Sequence, residues 1–226
     1  MTRVALFDLD HTLLDGDSDA LWCDFLIERG VLERATFGAR NAQMERDYRA
    51  GSVSTQVFCE FYVSTLAMRP RAAWEPLRCE FLDQVIAPRI TPAARALVQR
   101  HRDASDLLVL TTATNRYITE LTAAHLGIEH LIATECDTDG DGNFTGRTLG
   151  TLNMREGKVS RLRAWLAQRG IEWDACETTF YSDSINDLPL LAAVRHPVAL
   201  NPDERLAAEA GRRQWPVLHL RRTESR

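Results

Sequence analysis

Val4-Ala5-Leu6-Phe7 is an apolar run of strand length that has no partner near it in the chain. From Leu21 to Ile86 apolar residues recur three and four apart instead, as in Leu21, Trp22, Phe25 and Leu26, then Val57, Phe58, Phe61, Tyr62 and Leu66. That is the helical period. Gly30 and Gly51 punctuate the stretch, Ser52 and Ser54 can cap a helix start, and Pro70 opens a helix carrying Trp74, Leu77, Phe81 and Val85. Beyond a helix start at Thr91-Pro92 the texture changes. Strand-like runs at Leu107-Leu108-Val109-Leu110, Leu131-Ile132-Ala133-Thr134, Thr178-Thr179-Phe180-Tyr181 and Val198-Ala199-Leu200 alternate with helical segments, one carrying Val159, Leu162, Trp165 and Leu166 and ending at Gly170. A lone strand cannot stand by itself, so the first run must join these later ones in a single parallel sheet. The chain is expected to be α/β, with the helical stretch inserted as a cap through short hinges near residues 15–18 and 87–89.

With 226 residues and 45% hydrophobic content the chain can bury a sizeable core. A net charge of -5 gives no footprint for nucleic acid, and Arg221, Arg222 and Arg226 read as a solvated tail. Five cysteines, Cys23, Cys59, Cys79, Cys136 and Cys176, contain no CxxC pair and fit neither a disulfide framework nor a zinc site. The first strand begins too early for a signal peptide, and no apolar run reaches membrane-spanning length. The expectation is a cytoplasmic protein that binds neither membrane nor nucleic acid; its oligomeric state is not readable from the chain.

Asp8 and Asp10 follow the first strand directly, in Asp8-Leu9-Asp10-His11-Thr12-Leu13. Strand alternation sends both carboxylates to one side, where their repulsion is relieved by a shared proton or by a hard divalent cation. Three later segments complete a phosphate-like site. The run from Ser182 to Asp187 adds two carboxylates and an amide beyond a strand, Thr111, Thr112 and Thr114 bring hydroxyls and N–H groups to a strand-to-helix turn, and Lys158 supplies a cation. Asp15, Asp17, Ser18 and Asp19 are also good N-cap residues for the helix that follows.

These four segments, in this order, resemble the four motifs of the haloacid dehalogenase superfamily, and the insertion together with Ser182-Asp183-Ser184-Ile185-Asn186-Asp187 resembles its phosphoserine phosphatase-like group. The resemblance implies a Rossmann-like parallel sheet core, residues 1–15 and 88–226, with an inserted cap of four-helix-bundle type, residues 16–87. It implies a phosphatase acting on a small phosphate ester. In that scheme Asp8 is the nucleophile that forms an aspartyl phosphate, and Asp10 is the general acid and then base. Magnesium binds Asp8, the backbone carbonyl of Asp10 and Asp183, with Asn186 and Asp187 behind them. Thr112 and Lys158 bind the phosphoryl group, and Lys158 also neutralises the nucleophile.

An ungapped count places Asp17 where the resembled phosphoserine phosphatases carry a Glu for the substrate amine, and Glu60 where they carry an Arg for its carboxylate. A carboxylate-bearing substrate would meet like charge at Glu60 unless another arginine such as Arg49 substitutes. An ester with an amine and no carboxylate, such as histidinol phosphate, suits the pair better than phosphoserine. A phosphotransferase or mutase using the same aspartyl phosphate, and a non-catalytic magnesium or phosphate-binding protein, are the alternatives. Asp137-Thr138-Asp139-Gly140-Asp141-Gly142 begins like a calcium loop but has Thr148 where a bidentate Glu is needed. It is expected to be a β-hairpin, with Gly140, Gly142 and Gly146 at positive φ. Gly157-Lys158 lacks the rest of a P-loop.

Overall fold

The structure, a computed structural model, describes residues 1–49 and 52–220, with the side chains of Glu45 and Arg49 outside that set. Gly51, the side chain of the proposed stand-in Arg49 and the arginine-rich tail therefore lie outside what is described.

The apolar run at the N-terminus is the middle strand of a seven-stranded sheet. In chain order the strands are β1 (Thr2–Phe7), β2 (Leu107–Asn115), β3 (His130–Thr138), β4 (Phe144–Leu149), β5 (Cys176–Ser182), β6 (His196–Leu200) and β7 (Val217–Leu218), arranged spatially β4-β3-β2-β1-β5-β6-β7. All neighbours are parallel except the β3/β4 pair. β1 pairs with β2 through Phe7 and Leu110 and with β5 through Phe7 and Tyr181. The chain winds outward from β1 one way through β2 and β3, and from β5 the other way through β6 and β7. The crevice at the carboxyl ends of β1 and β5 is therefore the switch point where open α/β sheets place ligands.

Strand alternation divides the core into two layers. Ala5 and Phe7 face one layer with Leu110, Tyr181 and Leu200; Val4 and Leu6 face the other with Val109, Phe180 and Leu162. The first layer is covered by α5 (Pro92–Asp103) and α6 (Arg116–His125), and the second by α7 (Glu156–Ala167), α8 (Leu188–Ala193) and α9 (Glu204–Arg213).

Between β1 and α5 the described residues contain helices only: α1 (Ser18–Glu28), α2 (Arg34–Arg49), α3 (Thr55–Val63) and α4 (Arg71–Phe81), with short helical turns at Ser64–Met68, Leu82–Ile86 and Ala87–Arg89. Ser54 caps α3 by accepting the Val57 N–H at 3.2 Å, and Thr91 caps α5 by accepting that of Ala94. The apolar positions read from the 3.6 period converge as an aromatic cluster. Trp22 packs against Trp74 and Phe81 at centroid distances of 5.9 and 5.1 Å, and Phe25 against Phe81 at 5.5 Å. The entry and exit of this stretch run side by side, since Asp15 N–H donates to the Arg89 carbonyl at 3.0 Å.

The calcium-like segment is the β3/β4 hairpin. Gly142 and Gly146 have φ of 81° and 82°, but Gly140 does not adopt positive φ. The reason is local: Asp139 Oδ1 accepts the N–H groups of Asp141 and Asn143 at 3.0 and 2.9 Å, closing an Asx turn that leaves residue 140 no need of it.

Candidate active site

Asp8 leaves β1 with its N–H still in the ladder, donating to the Tyr181 carbonyl at 2.9 Å, so β1 and β5 deliver Asp8 and Asp183 side by side. Thr12, set by a tight turn in which its N–H donates to the Leu9 carbonyl, joins them. Its hydroxyl lies 3.3 Å from Asp8 Oδ2 and 3.0 Å from Asp183 Oδ1, and accepts the Asp183 N–H at 3.1 Å. One hydroxyl proton cannot satisfy both carboxylates. Lys158, 2% exposed, donates at 2.7 Å to Asp8 Oδ1 and at 2.7 Å to Asp187 Oδ2, which also accepts from Ser182 Oγ at 2.7 Å.

Electrostatics follow from this crowding. Burial pushes the Asp8 pKa up to about 6, against the pull of Lys158, and pushes Asp183 up to about 8 with the repulsion of Asp8 added. Burial works against the Lys158 charge, but Asp187 and Asp8 outweigh it and hold its pKa above the ordinary lysine value. Asp8 and Asp187 thus share one ammonium, Asp8 and Asp183 converge on one hydroxyl, and Asp183 has no cationic partner among the described residues. Such a donor set, made only of hard oxygens with unrelieved negative charge, fits a magnesium ion.

Asp10 turns away into a second polar group. Its Oδ1 accepts the Ser18 N–H at 2.7 Å, and its Oδ2 accepts from Thr114 Oγ1 at 3.0 Å. Burial, then the neighbouring Asp17 and Asp8, push its pKa up to about 7. Asp8 and Asp10 are therefore set apart by their surroundings, one against an ammonium and one against hydroxyl and amide donors, which suits different roles at neutral pH.

The remaining expected residues are placed unevenly. Thr112 is wholly buried in the carboxyl-terminal half of β2, which runs on to Asn115, so the strand-to-helix turn comes later than expected; its hydroxyl accepts the Thr114 N–H at 3.2 Å. The Asn186 N–H donates to Ser184 Oγ at 3.2 Å, and among the described residues its side chain makes no hydrogen bond to the carboxylates. Asp17 is the N-cap of α1, accepting the Ala20 N–H at 2.9 Å, and still lies close enough to raise the Asp10 pKa. Glu60 is half-buried on α3 and accepts from Gln56 Nε2 at 2.7 Å. Neither Asp17 nor Glu60 forms an ion pair with a described residue.

Nothing in the sequence marks Thr12, Ser182, Asn153 or Gly157 for a part in the site, while Ser18 is expected as a cap residue and Thr114 as a turn hydroxyl. The Nδ2 of the wholly buried Asn153 lies 3.0 Å from Thr111 Oγ1, 2.9 Å from the Thr112 carbonyl and 2.8 Å from the Ile132 carbonyl, three acceptors sharing two N–H groups, which ties its loop to β2 and β3. At Gly157 a Cβ would sit 2.0 Å from the Leu152 carbonyl oxygen, so only glycine lets the 150–155 loop fold against the first turn of α7 that carries Lys158. A glycine and a lysine in sequence give no hint of that contact. The expected cap of α1 is met by Asp17, while Thr12 and Ser18 add a hydroxyl beside Asp8 and an N–H to Asp10.

Fold, switch-point crevice and crowded carboxylates define an α/β protein with its candidate site at the carboxyl ends of β1 and β5. The model of the haloacid dehalogenase-like hydrolases matches residues 5–192. The chain belongs to that family. It is 40% identical over 222 residues to a histidinol-phosphatase of Neisseria meningitidis serogroup C (strain 8013), covering 98% of this chain and 100% of that protein. It is 32% identical over 231 residues to the phosphoserine phosphatase SerB1 of Mycobacterium tuberculosis (strain ATCC 25618 / H37Rv), covering 98% and 72%. Among solved structures, a protein of unknown function from Bordetella pertussis Tohama I superposes with a TM-score of 0.93 at 41% identity, covering 96% and 98%. A substrate-bound phosphoserine phosphatase shares the fold, with a TM-score of 0.68 at 16% identity over 96% of this chain and 93% of that one. No helix among the described residues is long and apolar enough to cross a membrane.

Proposed function

We propose that this chain is a magnesium-dependent, cytoplasmic phosphatase that hydrolyses a small phosphomonoester through an aspartyl phosphate, with histidinol phosphate as the favoured substrate. The observation that carries the reading is the arrangement of Asp8, held 2.7 Å from the Lys158 ammonium and joined to Asp183 through Thr12, beside an Asp10 whose pKa is near 7. Residues 16–87 act as the cap and residues 1–15 and 88–226 as the catalytic core.

Asp8 is the nucleophile. One of its carboxylate oxygens bonds to phosphorus as the ester P–O bond breaks, and Asp10 gives its proton to the departing alkoxide. A water then hydrolyses the acyl phosphate, passing a proton to Asp10 and freeing phosphate and the Asp8 carboxylate. Lys158 holds Asp8 ionised and neutralises charge on the transferring group, while Thr112 offers a hydroxyl in the carboxyl-terminal half of β2. Asp8, Asp183 and the main-chain carbonyl of Asp10 would hold the magnesium ion, with Asn186 and Asp187 supporting them. Bound there, the ion supplies positive charge that lets the crowded carboxylates ionise together and steadies the phosphoryl oxygens.

The substrate choice rests on charge and on the relative that matches end to end. Asp17 and Glu60 lack a described cationic partner, which favours an amine over a carboxylate on the substrate. Phosphoserine is the second reading, favoured by the 32% identity to a phosphoserine phosphatase. Phosphate release from a panel of small phosphomonoesters, with and without magnesium and with Asp8→Asn beside wild type, tests the proposal. Turnover of histidinol phosphate above phosphoserine, dependent on magnesium and lost in Asp8→Asn, is expected. Near-full turnover by Asp8→Asn would end the nucleophile assignment, and a phosphorylated acceptor alcohol in place of free phosphate would make the protein a phosphotransferase.

A further inference from the structure

We propose that Asp19, rather than Asp17 or Glu60, is the residue that recognises the positive charge of the substrate's alcohol portion. The inference rests on the phosphatase reading above and deepens it.

The hydrogen-bond count around Thr114 leaves Asp19 unsatisfied. The Thr114 hydroxyl accepts from Ser18 Oγ at 3.0 Å and has one proton to give. Asp10 Oδ2 lies 3.0 Å away and Asp19 Oδ2 3.4 Å away, so the shorter contact is to Asp10 and Asp19 is left the weaker share. The other Asp19 oxygen, Oδ1, is sealed from solvent and has no hydrogen-bond partner, although the residue as a whole is only half-buried. A carboxylate with one oxygen kept from water and without a partner, and the other holding only a long bond to a shared hydroxyl, is costly unless a positive donor reaches it. Among the described residues none does. Burial and the charges of Asp17 and Asp10 push its pKa well above the ordinary carboxylate value, and no lysine, arginine or histidine opposes them.

Position then selects the part of the substrate. One hydroxyl separates Asp19 from Asp10, the group that protonates the leaving oxygen, so Asp19 stands on the leaving-group side and away from Lys158. Cys59 on α3 and Cys136 on β3 lie within reach of the Asp19 charge, which adds to burial in pushing each thiol up to about 12. They are neutral walls. Asp17, by contrast, spends one oxygen on capping α1, and Glu60 is held by Gln56. The geometry suits an amino-alcohol phosphate whose ammonium is a carbon or two from the ester oxygen, with its remaining organic part against the thiols.

The test compares Asp19→Asn with wild type on histidinol phosphate and on p-nitrophenyl phosphate, which has no amine. Asn keeps the side-chain shape and an acceptor for Thr114. The ratio of kcat/KM for the amine ester to that for the aryl ester is expected to fall at least about tenfold, mainly through KM, as removal of one member of a buried charge pair requires. Calorimetry with free histidinol should show the same loss of affinity. A ratio within about twofold of wild type, whether both activities fall together or neither moves, would overturn the proposal. Should the variant fail to fold, wild type alone decides: it must prefer histidinol phosphate over the analogue lacking the amine by about tenfold or more, and equal rates would overturn the proposal. Absence of phosphate release from every ester would instead be the failure of the phosphatase reading.

Discussion

Lys158→Met separates the structural and chemical duties of the central ammonium. The ammonium is buried and donates to Asp8 and Asp187, both at 2.7 Å, so its loss leaves two carboxylates facing each other with Asp183 close by. Removing one partner of such a buried pair costs about 3–5 kcal/mol of stability, because the orphaned charge must be neutralised or solvated. Adding Asp187→Asn removes one orphan while keeping an acceptor for Ser182 Oγ, so the double variant should recover about half or more of that loss. Turnover should not recover. The missing positive charge beside the nucleophile should leave both variants about 10²–10³-fold slower in kcat, the size found for lost electrostatic stabilisation of a transition state. Urea unfolding of wild type, single and double variants, with kcat measured on the same preparations, reads both quantities. Restored turnover in the double variant would refute the reasoning, as would a single variant within tenfold of wild-type kcat.

Gly157→Ala should destabilise the protein and depress turnover together, since its Cβ would lie 2.0 Å from the Leu152 carbonyl oxygen and the loop must shift to relieve it; a thermal melt and kcat equal to wild type would contradict this. Stability of the magnesium-free protein should fall as pH rises from about 5 to about 8.5, because Asp8, Asp10 and Asp183, with pKa values of about 6, 7 and 8, hold protons in the folded chain that the unfolded chain has already released. Magnesium should therefore raise the melting temperature more at the alkaline end. A metal-free melting temperature that climbs over this range, or a larger magnesium effect at the acidic end, would contradict the assignment. Asn153→Leu should cost about 2–4 kcal/mol in urea unfolding, since it strands the Thr112 and Ile132 carbonyls that Asn153 now satisfies; a loss below about 1 kcal/mol would show that water replaces it.

Periodicity and strand alternation were enough to read the parallel sheet and the helical insertion, because both depend on which residues are apolar. The Trp22, Phe25, Trp74 and Phe81 cluster formed where a 3.6-residue period places it. The Asp8, Asp183 and Lys158 grouping was legible for a related reason: each follows or opens an element whose end the pattern fixes. What escaped was everything decided by a single atom. Asn153 looks like any loop amide until two neighbouring strands are found to share it, and Gly157 looks like a helix residue until the Leu152 carbonyl approaches it. The division between Asp17 as a cap and Asp19 as a carboxylate with an unsatisfied oxygen depends on which of the two the Ala20 N–H reaches. Gly140 was misjudged for the same reason, since one Asp139 oxygen replaced the turn that a positive φ would have made.

The central claim is that Asp8 becomes phosphorylated during turnover. Its direct test is an acid quench of the protein reacting with phosphate-labelled histidinol phosphate and magnesium, followed by mapping of the label on peptides. A hydroxylamine-labile label is expected on the peptide containing Asp8, formed and lost at rates that match turnover and absent in Asp8→Asn. A label on another residue, or full phosphate release by Asp8→Asn, would contradict it.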